Sequence, residues 1–575
     1  MSHSGSSHVG IEPKGLTSCP HGFDPAAFSG FSYLLGPPAA AQRSKLGNDP
    51  AAAHQLLAAL SKALPGAGNY WPAALDGGLT HDDNPGIPSG YTYLLQLVAH
   101  DLVQTTVPFW AAAQLGLGSR NMRSSPLLLD TLYGGGPNTA PTAYRMMGYT
   151  TADRTHLRIG RFRSATTGMM AQSEECPFRD LARINLDAMD YLRGSDDLKA
   201  CDSLEHCRNL DTAKHVQPAN FDDPFVTCVA DPRSDDNLVL AQLVVLFARA
   251  HEAIVAQLTG ARPEAMFGFA QLAMQRLYHA IIEHDLLPRL LHPDILASLR
   301  DRSANDECWL WRTEGAPLEF THGVFRIGHA MVRSDYRLNA ANALDIGRVL
   351  KGDGSWADLH YPLRESWLIE WAQFFDLPGG VTPNFARRFS PTQSALDVAG
   401  LFQSNDPEQP ASLSLRDMLS AALARTWSVD ALIDRMLAHT VNPLPPGWAW
   451  CNAGKRRAAI GDWLSTRCKA GELDDAKIEV LAVDPPLPLF VLLEAALDDK
   501  IAGRHLGPLG SVIVGEVIGR SIARQRQQLA AAECAAWAAF DPEFWSEIEA
   551  IKAMPDLIAF VQRQAGCETP PTAGT

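Results

Sequence analysis

The stretch YTYLLQLVAHDLVQTTVPFW, residues 91–110, is an apolar segment that carries polar side chains in its middle. Its leucines and valines recur around most of a helical circumference, which predicts a helix packed on nearly all sides. Gln96 and His100 are four residues apart, so a helix places them one turn apart on the same face, and Asp101 follows directly. Polar groups in such a helix are ordinarily core residues with hydrogen-bonded partners. Other segments must therefore decide whether this face does chemistry.

Length and composition are those of an ordinary globular protein. The chain has 575 residues, of which 46% are hydrophobic and 20% charged. The net charge of −15 disfavours nucleic acid and anionic membranes as partners. No segment has about 18 unbroken apolar residues, so we expect no membrane span. The oligomeric state leaves no mark in the sequence.

The N-terminus has neither a basic start nor an apolar core, so no Sec signal peptide is visible. We therefore expect a cytoplasmic location by default. Secretion by a leaderless route is the alternative, because it requires no signal peptide. The ten cysteines include no CxxC pair and no zinc-like spacing. A disulfide in the polar region around Cys201 and Cys207, near Cys176 and Cys228, is one interpretation, and free thiols, typical of cytosolic proteins, are the other.

The pattern along the chain predicts a mainly α architecture with long irregular connections. Residues 1–55 are rich in Ser, Gly, Pro and Ala and predict an irregular N-terminal arm. We expect one large domain over 56–530, with a loop-rich insertion at 140–225 where the chain is polar and poorly periodic. Residues 531–575 predict a C-terminal helix and a disordered tail. Alternating strand patterns are scarce.

Two further polar clusters accompany the opening helix. In DPRSDDNLVL, Arg233 precedes a long apolar helix, and Asp235 or Asp236 in this segment favours a helix cap. In FTHGVFRIGHAMVRSDYRLN, Arg326 and His329 stand among apolar residues, where a single histidine is more often a satisfied core residue.

Taken together, these segments resemble the animal-type haem peroxidase family, the peroxidase–cyclooxygenase superfamily, and its bacterial members in particular. QLVAHD, DPRSDDN, FRIGH and LGPLGSVIVGEVI occur in the family's order and at roughly its separations, over about residues 60–530. Any one of these motifs is weak, but four in order make chance a poor explanation. The resemblance implies a single large haem peroxidase-like domain that binds haem b.

The resemblance also implies roles for five residues. His329 matches the proximal iron ligand, and His100 matches the distal histidine that relays the proton of hydrogen peroxide. Arg233 matches the distal arginine that stabilises charge on the departing oxygen. Gln96 matches the distal glutamine that orders water, and Arg326 is expected to pair with a haem propionate. The partners implied are hydrogen peroxide and a small aromatic or inorganic electron donor.

The sequence departs from the family at the positions that esterify haem. Ala99 occupies the first of them and cannot form an ester. Asp236, three residues after Arg233, occupies the second, where glutamate is usual. We therefore expect at most one covalent link, through Asp236, and helix capping is the alternative role of that residue.

A calcium site is a second expectation that the resemblance carries. Asp101 matches a calcium ligand, and the family completes the site from a loop that SPLLLDTLYGGG resembles. Asp130 matches one loop position, whereas Leu128 stands where aspartate is common. Calcium prefers six to eight oxygen ligands, so a missing carboxylate weakens the site.

The segment LRDMLS resembles the one that places an asparagine against the proximal histidine. That position is Asp417 here, and an arginine expected three residues later is Ser420. A carboxylate accepting from His329 would increase its imidazolate character and lower the iron's reduction potential. The alternative is that Asp417 is a solvated helix residue.

Three other functions compete with the peroxidase reading. The departures at Ala99, Leu128 and Asp417 favour a degenerate haem-binding interaction module, whereas an intact His100, Arg233 and His329 argue for turnover. A fatty-acid dioxygenase of the cyclooxygenase type would need a radical tyrosine three residues before the proximal histidine, where this chain has Arg326; Tyr336 lies seven residues after His329, too late to replace it directly. A structural α protein without haem is the third alternative.

Overall fold

The computed structural model describes most of the chain, including the segments that carry the predicted site. Of the predicted insertion at 140–225, the larger part lies outside the described residues, as do 1–27 and 565–575. Cys176, Cys201 and Cys207 also lie outside them, whereas Cys451 and Cys468 are free thiols. The described residues are 28–64, 80–105, 119–123, 126–144, 155–160, 162, 179–185, 225–258, 263–302, 309–345, 363, 367–395, 412–539 and 542–564.

Helices make up most of the described chain, as the sequence predicts. A π-helical turn, Ile282–Leu286, joins α5 to α6, and a second one, Glu319–Gly323, leads into a 3-10 helix at Val324–Met331. The α-helices are α1 (Pro50–Ala63), α2 (Gly90–Leu102), α3 (Asp130–Tyr133), α4 (Leu238–Gln257), α5 (Pro263–Ile281), α6 (Leu287–Leu290), α7 (Pro293–Arg302), α8 (Leu413–Leu423), α9 (Val429–Leu437), α10 (Ala453–Arg467), α11 (Asp475–Val483), α12 (Leu487–Leu497), α13 (Pro508–Ala539), α14 (Pro542–Ala550) and α15 (Met554–Gln564).

The described strands are short and pair two by two. The longest of these strands, Asp83–Pro88, pairs antiparallel with Phe385–Arg387, with Pro88 opposite Phe385. The mainly α fold class is confirmed, because these pairs only tie loops together. The strands are β1 (Phe28–Ser29), β2 (Phe31–Ser32), β3 (Asp83–Pro88), β4 (Ser119–Arg120), β5 (Ile159–Gly160), β6 (Asp180–Leu181), β7 (Arg183–Asn185), β8 (Phe225–Thr227), β9 (Ala316–Pro317), β10 (Asp335–Arg337), β11 (Ala343–Asp345) and β12 (Phe385–Arg387), paired β1–β4, β2–β9, β3–β12, β5–β6, β7–β8 and β10–β11.

Helix α4 lies in the core. It is apolar on nearly all sides and packs against α2, α5 and α15. Among the described helices, α4 is the one that is long and apolar enough to cross a bilayer. The bent pair α11–α12 would be a second candidate if the two helices were counted as one span. Of the apolar segment of α4, 83% is buried inside the protein, which is typical of a core helix.

The last helix belongs to the same core as α2. Met554 and Leu557 of α15 are fully buried. The carboxylate of Asp285 joins α2 to α15, because it accepts hydrogen bonds from the Tyr91 hydroxyl at 2.6 Å and from the Met554 N–H at 2.9 Å. One buried carboxylate therefore fixes α15 against the helix that carries His100.

A second buried carboxylate accepts hydrogen bonds from the first turn of α13. Glu494 of α12 accepts the N–H of Leu509 at 2.8 Å and that of Gly510 at 3.3 Å, two of the amides that a helix start leaves without partners. Glycine is required at position 507, because a side chain there would collide with Glu494. Burial raises the pKa of Glu494 to about 8.

This shift predicts that the protein loses stability as the pH rises. The pKa of Glu494 rises from 4.5 in the unfolded chain to about 8 in the fold, so the native state binds more protons across that window. The free energy of unfolding therefore falls as the pH increases towards 8. In Glu494→Gln we expect this loss between about pH 6 and about pH 8.5 to shrink by about 1–2 kcal/mol, measured by urea denaturation. Glu479→Gln, at an exposed position of α11, is the matched control and should leave the loss unchanged. An equal loss of unfolding free energy in Glu494→Gln and in the wild type would contradict the raised pKa of Glu494.

Candidate functional site

Helix α2 carries the first group of predicted site residues. It is buried on most sides, and the side chain of His100 in its last turn is 13% exposed. Gln96, one turn earlier on the same face, accepts a hydrogen bond from the Asn237 side-chain amide at 3.0 Å. The helix therefore presents a fixed amide and an imidazole side by side.

Asp101 ties α2 to the loop before α3. The carboxylate is fully buried and accepts the N–H of Leu129 at 2.8 Å and that of Thr131 at 3.3 Å. Leu127 and Leu129 have φ values of 62° and 58°, a left-handed conformation that strains a leucine. His279 Nε2 donates to the Leu127 carbonyl at 2.7 Å and holds the loop from its other side.

The described residues do not fit the predicted calcium site. Both oxygens of Asp101 already accept backbone N–H groups, and Leu128 supplies no carboxylate. Asp130 lies with its Oδ2 4.0 Å from Nη1 of Arg123. No group of three or more His, Cys, Asp or Glu that could hold a metal ion occurs in the described part of the chain. Burial raises the pKa of Asp101 to about 7, and the charge that opposes this shift is the guanidinium of Arg123.

Two arginines meet the carbonyl groups at the end of α2. Arg233 Nη2 donates to the His100 carbonyl at 2.9 Å, and its Nη1 donates to the Val103 carbonyl at 2.8 Å. Arg123 Nε also donates to the His100 carbonyl, at 3.1 Å. The last carbonyls of a helix have no intrahelical partner, so these contacts satisfy groups that would otherwise be buried without one.

Asp231 joins the two arginines. Its Oδ2 lies 2.7 Å from Arg233 Nη2 and 2.5 Å from Arg123 Nη2. Burial alone would raise the pKa of Asp231, but the hydrogen bonds and charge of Arg233, together with the charges of His100 and Arg123, outweigh it and hold the pKa below its ordinary value. Arg233 thus lies at the end of α2, where its guanidinium contacts the backbone carbonyl of His100. Its role at a departing oxygen stays a prediction.

The residues after Arg233 do not have the capping roles that the sequence predicts. Asn237 is the residue that caps α4, by accepting the N–H of Leu240 at 2.8 Å, so the capping role considered for Asp235 and Asp236 is wrong. Asp235 instead pairs with Arg183, whose Nη1 and Nη2 donate to its Oδ2 and Oδ1, each at 2.7 Å. Asp236 Oδ2 lies 3.9 Å from Nε2 of His100, and burial raises the pKa of Asp236 to about 7.

His329 lies in the 3-10 helix that follows the second π turn. Its Nδ1 is 2.7 Å from Oδ2 of Asp417, which projects from α8 and is 4% exposed. The alternative that Asp417 is a solvated residue is therefore wrong. Within the described residues, Nε2 of His329 has no hydrogen-bond partner, and the side chain is 32% exposed. One ring nitrogen is anchored and the other stays open.

Positive charge accumulates around Asp417. Arg326 Nη1 lies 3.6 Å from the second oxygen of Asp417, and its Nη2 lies 3.5 Å from the Ser420 hydroxyl. Burial lowers the pKa of Arg416, the neighbour of Asp417 in sequence, to about 10, and the charge of Arg326 adds to the effect. Arg326 and Asp417 line a cleft of about 290 Å³, including its opening to solvent. Two guanidinium groups share one carboxylate here.

The elements that carry His100 and His329 are neighbours. Helix α2 packs against the 3-10 helix, and a Cβ on Gly328 would lie 3.4 Å from the Leu95 side chain. The donor set fits haem: an imidazole oriented through Nδ1 by a carboxylate is a common iron ligand, and excess guanidinium charge suits propionates.

Sequence reasoning missed Arg123 and Asn237. Arg123 stands in a loop where arginine is ordinarily solvated, in a segment to which the family resemblance gave no role. Asn237 ends the segment DPRSDDN, in which the resemblance gave roles to Arg233 and Asp236 alone. A second arginine could be expected only from the carbonyl groups at the end of α2 that need hydrogen-bond donors. Which of these carbonyls need a donor is known only once the fold is known.

Comparison with known proteins gives matches among solved structures. No family model matches the chain, and no curated protein matches its sequence significantly. A Tyr-to-Phe variant of the Oryza sativa fatty acid alpha-dioxygenase with palmitic acid has 13% identity and a TM-score of 0.47, over 96% of this chain and 88% of that chain. Peroxidase A of Dictyostelium discoideum has 10% identity and a TM-score of 0.45, over 95% and 94%. The Arabidopsis thaliana fatty acid alpha-dioxygenase has 12% identity and a TM-score of 0.42, over 90% and 78%.

The charge network predicts a large effect of removing Arg123. In Arg123→Gln we expect the free energy of unfolding to fall by about 3 kcal/mol, because Asp231, Asp101 and Asp130 lose a buried cation. Chemical denaturation measures the change. Arg457→Gln removes an arginine whose side chain is 47% exposed and 2.8 Å from Asp430, and should cost at most about 1 kcal/mol.

A calcium ion at this place would give a different pattern. If the cation beside Asp101 is the guanidinium, the melting temperature of the wild type does not change when a calcium chelator is added. A chelator that lowers the wild-type melting temperature, and has no effect on Asp101→Asn, would show a metal in this position instead.

Proposed function

We propose that this protein is a haem peroxidase, which reduces hydrogen peroxide and oxidises small aromatic or inorganic donors. Haem b would be held by His329, with Arg326 as the partner of a propionate. A cytoplasmic location and a role in the response to oxidative stress belong to the same proposal.

The observation that supports it best is the pairing of His329 with Asp417. A carboxylate that accepts from Nδ1 fixes the tautomer, so the lone pair of Nε2 is available for iron. A histidine that served only the core would have both nitrogens satisfied. The neighbouring helix α2 supplies His100 and Gln96 on one face, which is the second requirement of the proposal.

Bound at His329, haem supplies the redox chemistry, in which two electrons from donor molecules and two protons convert one peroxide into two waters. The chain's own part is to hold and move the protons. His100 accepts a proton from one peroxide oxygen at Nε2 and returns it to the other. Asp236 lies 3.9 Å from that nitrogen and has a pKa of about 7; where it is not joined to haem by an ester, its ionised form favours the protonated imidazole. Gln96, held by Asn237, orders water beside them.

Arg233 acts in this proposal through its position. Its guanidinium already makes hydrogen bonds to Asp231 and to two carbonyls of α2, so it holds the turn that carries His100. Its charge lies close enough to His100 to favour negative charge on a departing oxygen.

Covalent attachment is the finer part of the proposal. Ala99 offers no carboxylate, so at most one ester forms, through Asp236. The protonation that its pKa of about 7 allows, and its place beside His100, support this residue as the attachment point.

Two alternatives lead to different observations. A degenerate haem-binding module would bind haem without reacting with peroxide. A dioxygenase of the cyclooxygenase type needs a tyrosine three residues before His329, and that position holds Arg326, which lies beside Asp417.

The first test is an absorbance spectrum of the purified protein with haem supplied, before and after stoichiometric peroxide. We expect a high-spin Soret band that changes within the mixing time. His329→Ala should lose the band, whereas His100→Ala should keep it and react with peroxide about 100–10,000-fold more slowly, because the proton relay is removed. His284→Ala, whose side chain is 46% exposed, is the control and should behave as the wild type.

The other outcomes are equally decisive. A Soret band indifferent to peroxide would establish the haem-binding module, and an absent band would end the haem proposal. Acid–butanone extraction of the same sample distinguishes the attachment: haem that stays in the aqueous phase in the wild type, but not in Asp236→Ala, supports the ester.

Asp417→Asn tests the proximal pair. The loss of the anionic partner should lower the Fe–His stretching frequency of the ferrous protein and raise its reduction potential, with haem affinity or activity lower by about 10–100-fold. Resonance Raman spectroscopy measures the frequency. Asp434→Asn, an exposed aspartate of α9, provides the matched control. A frequency already typical of neutral imidazole in the wild type would rule out the role of Asp417.

A further inference from the structure

A cleft behind the end of α2 shares Arg123 with the site described above and is otherwise separate from it. It opens between the last turn of α2, the residues around Arg123, the π turn Glu319–Gly323 and helix α13. Its volume is about 600 Å³, including its opening to solvent. The residues that decide its chemistry are Leu102, Arg123, Trp311, Phe320, Val517 and Gln525.

Two buried polar side chains line this cleft with unused hydrogen-bonding groups. Gln525 of α13 is 3% exposed, and its amide makes no hydrogen bond to any described residue. The Arg123 side chain is 7% exposed; its Nε and Nη2 are bonded, but Nη1 donates no hydrogen bond within the described chain. Buried amides and guanidiniums ordinarily have partners, so these groups point to a ligand or ordered water in the cleft.

The remaining walls are apolar and partly aromatic. Phe320 is 0%, Val517 2%, Leu102 3% and Trp311 4% exposed. Phe320 is held by stacking on Phe325, with ring centroids 4.3 Å apart. Such walls with few polar groups are typical of sites that bind a small ring compound and orient it by one polar atom.

The surrounding charges determine which polar atom fits. Arg123 already has Asp231 at 2.5 Å and Asp130 at 4.0 Å, and Asp101 adds a third carboxyl beside it. Arg524 at the rim is paired with Glu314 at 2.7 Å. No cationic charge is left over among these groups to attract a carboxylate, so the cleft favours an uncharged oxygen.

We propose that this cleft binds a neutral phenol, with its ring against Trp311 and Leu102 and its hydroxyl between Gln525 and Nη1 of Arg123. The amide carbonyl accepts from the hydroxyl, and the guanidinium donates to it. The inference rests on the proposed function, in which the phenol is the electron donor. Arg123 also donates to the carbonyl of His100, so the cleft and the peroxide-side histidine share one residue.

The reaction balances with two phenols for each peroxide. Each phenol loses one electron and its hydroxyl proton and becomes a phenoxyl radical, and the peroxide takes up two electrons and two protons to give two waters. No further reductant is needed.

The first test compares three probes on the wild-type haem-loaded protein without peroxide, by ¹⁹F NMR titration. We expect 4-fluorophenol to bind at least about fivefold more tightly than 4-fluorotoluene, which lacks the hydroxyl, and than 4-fluorobenzoate, which brings a charge. Equal affinity of the phenol and the toluene, or tighter binding of the benzoate, would overturn the proposal. No variant needs to fold for this comparison.

The second test locates the probe. Gln525→Leu keeps the size of the side chain and removes the amide, so binding of 4-fluorophenol should weaken about fivefold while that of 4-fluorotoluene does not. Gln527→Leu, on the exposed side of α13, is the matched control and should leave both unchanged. Unaltered phenol binding in a folded Gln525→Leu protein would place the probe elsewhere and contradict the inference.

These readouts separate the cleft from the peroxidase proposal. If phenol binding depends on Gln525 but peroxide leaves the Soret band unchanged, the site stands and the proposed function fails. If peroxide reacts but Gln525→Leu leaves phenol binding and the KM for phenol unchanged, the function stands and the cleft is not its donor site. When both hold, Gln525→Leu raises the KM for phenol and leaves the rate of the peroxide reaction unaltered.

Discussion

The end of helix α2 is buried, and much of the candidate site follows from that constraint. The carbonyls of His100 and Val103 have no intrahelical partner and are partly buried, so donors from elsewhere in the fold satisfy them. Arg233 and Arg123 do so from two distant segments. Two buried guanidiniums in turn require a carboxylate, which Asp231 provides to both. The imidazole of His100 is thereby placed by a network that holds its backbone, with Asp236 3.9 Å from Nε2 of the ring.

The two histidine regions are organised differently. Around His100 the structure fixes the backbone and surrounds the ring with groups of adjustable charge, such as Asp236, whose pKa burial raises to about 7. Around His329 it fixes the ring itself, through the short contact with Asp417. A residue that exchanges protons must stay free to change its charge state, whereas a metal ligand must keep one tautomer and one direction. The difference in support matches the difference in proposed roles.

Buried carboxyl groups also explain how a helical protein with long irregular connections keeps its backbone satisfied. Asp101 accepts two N–H groups of a loop, Glu319 accepts those of Leu34 and Trp427, and Glu494 accepts two at the start of α13. Each joins segments far apart in sequence. Each also has its pKa raised to about 7 or 8 by burial, so the same contacts that organise the loops make the fold sensitive to alkaline pH.

The sequence by itself determined the features that depend on local periodicity. The helix around His100, the shared face of Gln96 and His100 and the mainly α class follow from apolar spacing, which is a property of neighbouring residues. The proximity of His329 and Asp417 could be expected only through a family resemblance. The partnership of Arg123 with Asp231, and the use of both Asp101 oxygens by backbone N–H groups, were decided by the tertiary structure. Their reason is the burial of a helix end and of several charges, and burial depends on segments that are distant in the chain and have no common period.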